Sequence, residues 1–122
     1  MIVTSYYSKL KHIYEKYGYL NVKAYSISLW QPYGMTLNSI DELKPNTGLF
    51  AKFKSKAIDK NRYIKEFNNQ LDNVDLKSIY KQIDDKNKLI VLLCFEKSAS
   101  FCHRHIVAER FRKLGLECKE FE

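Results

Sequence analysis

The sequence predicts a single α/β domain with a mostly parallel central sheet flanked by helices. The chain of 122 residues has the length of one domain, because two halves would each bury too little apolar surface to offset chain entropy. A continuous apolar run, Leu89–Cys94, is typical of a central strand covered on both faces. Helical and strand-like patterns alternate along the chain. We therefore expect one domain over residues 1–122.

The first half of the chain predicts two strands and two helical segments. Residues 1–5 are partly β-branched and predict an edge or second-tier strand, which leads into a helical segment over 6–17. Residues 22–30 alternate large apolar side chains with smaller ones, which indicates another strand. A short helix is expected over 49–56, after a turn rich in Pro, Asn and Gly.

The second half predicts three helices and two strands. Apolar residues at helical spacing mark the helices, as Tyr63, Phe67 and Leu71 do in the first of them. The predicted elements, in chain order, are helices 61–71 and Leu76–Ile83, strand Leu89–Cys94, helix 100–114 and strand 116–121. Asp75 is expected to cap the second of these helices, and Gly115 to end the third.

Composition indicates a folded, cytoplasmic protein with no membrane partner. Apolar residues make up 45% and charged residues 29% of the chain, unlike a disordered protein. No stretch approaches the roughly 18 apolar residues that cross a bilayer, and the N-terminus has no signal-peptide core. The three cysteines are an odd number in a chain that does not need a disulfide, so we expect reduced thiols.

The net charge of +7 predicts a basic surface that attracts anions. Much of the excess lies in one part of the chain, in Lys52, Lys54, Lys56, Lys60, Arg62 and Lys65. Together with nine Tyr, seven Phe and one Trp, these cations are compatible with a nucleic-acid partner whose bases stack on aromatic rings. The alternative interpretation is a solvated basic surface above an aromatic core.

Residues 94–104 form the candidate functional site. They join the predicted central strand to the next helix, where open α/β sheets bind ligands against free backbone N–H groups. Reactive and polar side chains are concentrated there, namely Cys94, Glu96, Lys97, Ser98, Ser100, Cys102, His103 and Arg104. This mixture favours a small enzyme or a domain that binds a small anionic ligand; a nucleic-acid module and a protein-binding domain are the alternatives.

Helical spacing assigns the side chains of helix 100–114 to two faces. With Val107 at the centre of the inward face, the sheet side receives His103, Arg104, Phe111 and Leu114. The outward side receives Cys102, His105 and Glu109. An unpaired buried guanidinium would be costly, so we expect Arg104 to line a polar cavity or to pair with Glu96.

The candidate catalytic residues are Cys94, Glu96, Cys102, His103 and Arg104, and each cysteine also has a structural interpretation. Cys102 becomes a nucleophile if the helix start and its basic neighbours lower its thiol pKa; otherwise it is a small side chain at a helix end. Cys94 either belongs to the site or is a core cysteine. Glu96 or His103 is expected to act as the acid or base.

The candidate ligand-binding residues are Arg104, Ser98, Ser100 and Lys97. Arg104 is the predicted anchor, because a guanidinium beside free backbone N–H groups binds phosphate or carboxylate. The spacing of Cys94, Cys102, His103 and His105 also suggests zinc, but a helix turns the two histidines to opposite sides and no Cys-x-x-Cys pair exists. We therefore predict no metal and no cofactor.

Two stretches carry a resemblance to a known family. They are Leu92-Leu93-Cys94-Phe95-Glu96-Lys97 and Phe101-Cys102-His103-Arg104-His105, and they resemble the LLC-x-E-K and CHR hallmark of the domain-of-unknown-function 488 (DUF488) family. The resemblance extends over nearly the whole chain, as at Ser26-Ile27-Ser28 and Leu43-Lys44-Pro45. The resemblance implies a compact α/β fold. It also implies a polar cluster at the matching positions Cys94, Glu96, Cys102, His103 and Arg104.

Overall fold

A computed structural model of the chain describes residues 1–96 and 101–122. Within these residues the strands are β1 (Ile2–Tyr6), β2 (Val22–Ser26), β3 (Asn38–Ser39), β4 (Leu89–Cys94) and β5 (Cys118–Glu120). The helices are α1 (Leu10–Tyr17), α2 (Thr47–Lys54), α3 (Lys60–Leu71), α4 (Leu76–Ile83) and α5 (His103–Lys113). The strands form one sheet in the order β3-β2-β4-β1-β5, with every pairing parallel. The predicted α/β fold is confirmed.

Strand β4 is the centre of the sheet, as its apolar run predicts. All six of its residues are buried, and it pairs with β1 on one side and β2 on the other. Its side chains alternate between two core clusters: Leu89, Val91 and Leu93 join one, and Ile90 and Leu92 join the other. A strand covered on both faces needs apolar residues at every position, which explains the continuous run.

The two faces of the sheet are covered unequally. Helix α1 contributes Leu10 and Ile13 to the core cluster on one face. The other described helices contribute to the cluster on the opposite face, where α3 buries Tyr63, Phe67 and Leu71. These three residues are the helical stripe that the sequence predicts.

Several predicted boundaries and positions differ from the structure. Of the two positions predicted for strand β1, the edge is wrong, because β1 lies between β4 and β5 and is the second strand from the edge. Strand β2 ends at Ser26, because the chain bends after it instead of continuing to residue 30. Leu114 is 42% exposed and does not pack on the sheet, since α5 ends at Lys113 and the chain turns at Gly115, whose φ is 78°. The predicted Gly115 turn is thus confirmed.

Aspartate side chains cap the starts of helices α3 and α4. Asp75 accepts a hydrogen bond from the backbone N–H of Ser78 at the start of α4, as predicted. Asp59 does the same for Arg62 in α3. Among the described residues, no helix is both long enough and apolar enough to cross a membrane.

Candidate functional site

The candidate site lies at the carboxyl edge of the sheet, where β4 ends and α5 begins. Cys94 is the last residue of β4 and, by the alternation of a strand, points to the same face as Ile90 and Leu92. That face is covered by α5. Cys102 is the N-cap of α5 and has extended backbone angles, φ −151° and ψ 146°. The return of the chain from β4 to α5 therefore brings the two cysteines together.

The sulfur atoms of Cys94 and Cys102 are joined as a disulfide, and Cys118 is a buried free thiol. The prediction of three reduced thiols is therefore wrong for the first two cysteines in this structure. The outward direction predicted for Cys102 is also wrong, since its side chain is only 3% exposed. Helical spacing fails at Cys102 because an N-cap has non-helical backbone angles, so its side chain does not follow the faces of the helix.

His103 lies beside the cysteine pair, with its ring oriented by a hydrogen bond. Its Nε2 donates to the backbone carbonyl of Ile27 at 2.5 Å; because a carbonyl only accepts, the proton is on Nε2 and Nδ1 keeps its lone pair. Nδ1 lies 3.6 Å from Cys102 Sγ. Burial lowers the pKa of His103 to about 4, despite the opposing effects of the Ile27 hydrogen bond and Glu96. The ring is therefore neutral at pH 7.

Arg104 is fully buried and joins three parts of the fold. Its Nε and Nη2 donate to the carboxylate of Glu120 in β5, with Nη2 2.9 Å from Oε2. Its Nη1 donates to Cys94 Sγ at 2.9 Å and to the backbone carbonyl of Glu96. The alternative partner predicted for Arg104 was the Glu96 side chain; the structure supplies Glu120 instead, and Glu96 contributes its main chain.

Glu96 extends towards helix α2 and not towards Arg104. Its Oε1 lies 3.8 Å from Lys54 Nζ, and both side chains are more than a third exposed. Three of the predicted ligand-binding residues, Lys97, Ser98 and Ser100, lie outside the described residues.

An aromatic pocket opens beside the cysteines and His103. It has a volume of about 60 Å³, and Glu96, Cys102 and His103 line it. Its aromatic walls are formed by Trp30, Phe50, Phe53, Tyr63, Phe95 and Phe101. The rings of Phe53, Tyr63 and Phe101 contact one another with centroids 4.7 to 5.6 Å apart, a spacing that favours a well-ordered wall.

Sequence reasoning missed Glu120 and the aromatic walls. Glu120 meets Arg104 because β5 pairs with β1, which places Thr4 opposite Glu120; Thr4 Oγ1 also donates to the carboxylate at 2.7 Å. Nothing in the local sequence around Glu120 indicates that pairing. The aromatic residues come from four separate segments, and their only sequence signal is the high aromatic content.

Residues 28–115 match a known protein family, which is described as DUF488-N3a, the active DUF488-N3 subclade. The match covers well over half of the chain. This chain belongs to the DUF488-N3a family. The family region includes Cys94, Cys102, His103, Arg104 and the pocket walls, whereas β1, β2 and Glu120 lie outside it. No curated protein and no solved structure matches the chain.

The family match confirms the resemblance predicted from the sequence. The Cys94, Cys102 and His103 cluster that the DUF488 resemblance implies is present, with its ligand atoms within 4.8 Å of one another. Arg104 is in direct contact with this cluster through Cys94. Glu96 is near it and lines the same pocket as Cys102 and His103.

Proposed function

We propose that this DUF488-N3a protein is a small-molecule enzyme that binds an anionic substrate in the aromatic pocket and transforms it beside Cys102 and His103. One observation carries the proposal: the side chains of Cys102, His103 and Glu96 line the same pocket. Cys102 and His103 are buried in the protein, yet both reach the wall of this pocket. The pocket also lies at the carboxyl edge of the sheet, where open α/β folds bind their ligands.

The side chains in the pocket wall include electron-pair donors and an acid–base group. Once the Cys94–Cys102 disulfide is reduced, the Cys102 thiol can act as a nucleophile, and His103 Nδ1 offers a lone pair next to it. Glu96 is partly exposed, so it can exchange a proton both with a bound substrate and with solvent. A pair of electron donors and an acid–base group around one cavity is the arrangement expected of an active site.

The pocket mouth favours a negatively charged substrate with a planar or apolar part. Lys54 lines the pocket, and Lys60 Nζ lies 4.9 Å from the centre of the Phe101 ring. These two cations attract a phosphate or carboxylate to the mouth, while the aromatic walls pack against the rest of the molecule.

Arg104 is a positioning residue in this proposal. Its side chain is 0% exposed, and each of its nitrogen atoms already donates to Glu120, Cys94 or Glu96. The role proposed for Arg104 is therefore to hold the Cys94 sulfur and the end of β4 in place. The attraction of the anion, which was predicted for Arg104 from the sequence, is assigned here to Lys54 and Lys60.

Fluorescence of Trp30 tests the proposal directly. Trp30 is the only tryptophan in the chain, it lines the pocket and it is 61% exposed. We expect a saturable change in its emission when aromatic carboxylates, aryl phosphates or nucleoside monophosphates are titrated. Lys54→Gln should raise the Kd about five-fold, because a partly exposed charge contact contributes about 1 kcal/mol.

The matched control is Lys77→Gln, which removes an exposed charge from α4 and should leave the Kd unchanged. Compounds that bind are then incubated with the protein and analysed by mass spectrometry for conversion. Cys102→Ser should keep the Trp30 response and lose conversion. The proposal is wrong if no compound of the panel gives a saturable response, or if Lys77→Gln weakens binding as much as Lys54→Gln.

A nucleic-acid partner is the second candidate, favoured by the exposure of six cations on and around α2 and α3. All six side chains are exposed: Lys52, Lys54, Lys56, Lys60, Arg62 and Lys65. A cluster of this kind next to aromatic rings resembles the electrostatic footprint of nucleic-acid-binding proteins.

A further inference from the structure

Three buried side chains with metal-binding atoms converge at the pocket. The sulfur atoms of Cys94 and Cys102 and a ring nitrogen of His103 lie within 4.8 Å of one another. The zinc pattern considered in the sequence required both His103 and His105, which a helix separates. The tertiary structure instead brings Cys94 from the end of β4. Two thiolates and one imidazole are the protein ligands of a type of zinc enzyme that keeps its fourth position open.

His103 is already oriented as a metal ligand. A histidine that binds a metal through one ring nitrogen nearly always donates its other ring N–H to a carbonyl or carboxylate. His103 does this through Nε2 and the carbonyl of Ile27. The remaining nitrogen, Nδ1, is the one that faces Cys102. No rotation of the ring is needed for Nδ1 to bind an ion next to the sulfur atoms.

The spacing of the two cysteine backbones suits a shared ion. Their Cα atoms are 7.4 Å apart, whereas disulfides usually have Cα atoms about 4.4 to 6.8 Å apart. An ion between two thiolates holds each sulfur at about 2.3 Å, so it allows the two backbones to stay further apart than a direct bond does.

The charges around the cluster also suit a divalent cation. Arg104 Nη1 donates to Cys94 Sγ at 2.9 Å, and a hydrogen bond from a cation favours the thiolate, which is the form that binds metals. Glu120 balances the charge of Arg104. Two thiolates and one divalent ion then leave no net charge, which matters in a buried site because unpaired charge there is costly.

We infer that the reduced protein binds a zinc-class divalent ion through Cys94 Sγ, Cys102 Sγ and His103 Nδ1, with the fourth coordination position facing the aromatic pocket. The inference deepens the proposed function, since the ion lies where the substrate is expected. Sulfur and imidazole ligands favour Zn²⁺ over the oxygen-seeking Mg²⁺ and Ca²⁺. Because Cys102 and His103 both line the pocket, a water or substrate atom can complete the coordination.

Metal binding requires the dithiol form of the two cysteines. A small dithiol reductant breaks the Cys94–Cys102 bond by exchange: the reductant is oxidised to its own disulfide, and each cysteine gains one electron and one proton. The incoming ion then displaces the two thiol protons to the solvent. The same two sulfur atoms therefore cannot be a disulfide and metal ligands at once.

Metal content and Co²⁺ substitution test the inference. The full chain is reduced with a small phosphine, which takes up an oxygen atom from water to become its oxide while the disulfide becomes two thiols. The phosphine does not compete as a thiol ligand, and the reduced chain is then dialysed against Zn²⁺. We expect about one ion per chain by elemental mass spectrometry. Replacement by Co²⁺ should produce thiolate-to-cobalt charge-transfer absorption together with the intense visible bands of tetrahedral cobalt.

Variants with matched controls identify the ligands. Cys94→Ser and Cys102→Ser should each lower the Co²⁺ affinity by more than about 100-fold, since loss of an outer-shell partner alone costs 10- to 100-fold. Cys118→Ser removes a buried cysteine outside the cluster and should keep both the ion and the spectrum. If circular dichroism shows that a ligand variant does not fold, a chromogenic chelator is used to displace Co²⁺ from the wild-type protein. This displacement measures the Co²⁺ affinity of the wild-type site.

Two results would overturn the inference. One is that the folded, reduced wild-type protein takes up neither Zn²⁺ nor Co²⁺; the other is that Cys118→Ser loses the ion as completely as Cys102→Ser. The proposed function is judged by a separate readout, the Trp30 titration in metal-free protein. A saturable Trp30 response without metal uptake rejects the metal site alone, and metal uptake without any Trp30 response rejects the substrate pocket.

Discussion

Arg104 and Glu120 form a buried ion pair on which the geometry of the site depends. The guanidinium is 0% exposed and the Glu120 side chain is 21% exposed. Glu120→Gln removes the negative charge but keeps most of the shape, which leaves the positive charge of Arg104 buried without its partner. Removing one member of such a pair typically costs about 3 to 5 kcal/mol. We expect the free energy of unfolding to fall by about 3 kcal/mol in urea denaturation.

The control for this prediction is Glu117→Gln, an exposed carboxylate in the same terminal segment. It should change stability by less than about 0.5 kcal/mol. Equal stabilities of Glu120→Gln and Glu117→Gln would show that Glu120 does not stabilise the buried guanidinium.

The three cysteines should differ in reactivity after reduction and removal of metal. Burial raises the pKa of the Cys118 thiol to about 12, so almost none of it is thiolate at neutral pH. Cys102 lines the pocket, whereas Cys94 does not line it and is 0% exposed. With iodoacetamide at neutral pH, peptide mass spectrometry should show Cys102 alkylated first, Cys94 later and Cys118 only on unfolding. Labelling of Cys118 as fast as Cys102 would contradict this order.

Strand β4 is the element on which the fold depends most. Leu92 is 0% exposed and lies opposite Thr4 of β1 and Tyr25 of β2. Leu92→Ala should therefore lower the free energy of unfolding by about 2 to 5 kcal/mol, because it leaves a cavity in a packed core.

Leu114→Ala is the matched control for Leu92→Ala. Leu114 lies beyond the end of α5 and is 42% exposed, so its truncation should cost less than about 0.5 kcal/mol. Both variants are measured by the same urea titration. A cost near zero for Leu92→Ala would mean that β4 is not the central strand.

The distribution of charge over the whole molecule leads to a test of nucleic-acid binding. If the cations of α2 and α3 contact phosphates, the slope of log K against log salt should be steep, at about 0.9 per contacted phosphate on duplex DNA. The double variant Lys52→Glu/Lys56→Glu should then reduce the magnitude of that slope by about two. The measurement is fluorescence anisotropy of a labelled duplex over a range of salt concentrations.

The control has the same change in net charge on another surface. Lys77→Glu/Lys81→Glu alters two exposed residues of α4 and should leave the slope nearly unchanged. If both double variants weaken binding equally, the effect comes from net charge alone. If the wild-type protein does not bind duplex even at low salt, the second candidate function is rejected for duplex DNA.

The fold class and most of the helices and strands were predictable from the sequence. The apolar run of β4, the helical stripe of α3 and the cap at Asp75 are local signals, because each depends on residues close together in the chain. The sequence also placed the candidate site at the end of the central parallel strand, which is a general ligand-binding position, and the Cys/His cluster lies there in the structure. The paired cysteines and His103 were named as candidates for the same reason.

The contacts between side chains of the candidate site were not predictable from the sequence, because they depend on how the elements pack. Arg104 contacts Glu120 because β5 pairs with β1, and Cys102 turns inward to Cys94 because it caps α5 with extended backbone angles. The pocket depends on rings from separate segments that α2, α3 and the strand ends bring together. Even the Cys94–Cys102 contact, which joins residues eight apart in the chain, depends on the packing of α5 on the sheet. The geometry of all these contacts follows from strand pairing and side-chain packing, which have no local pattern in the sequence.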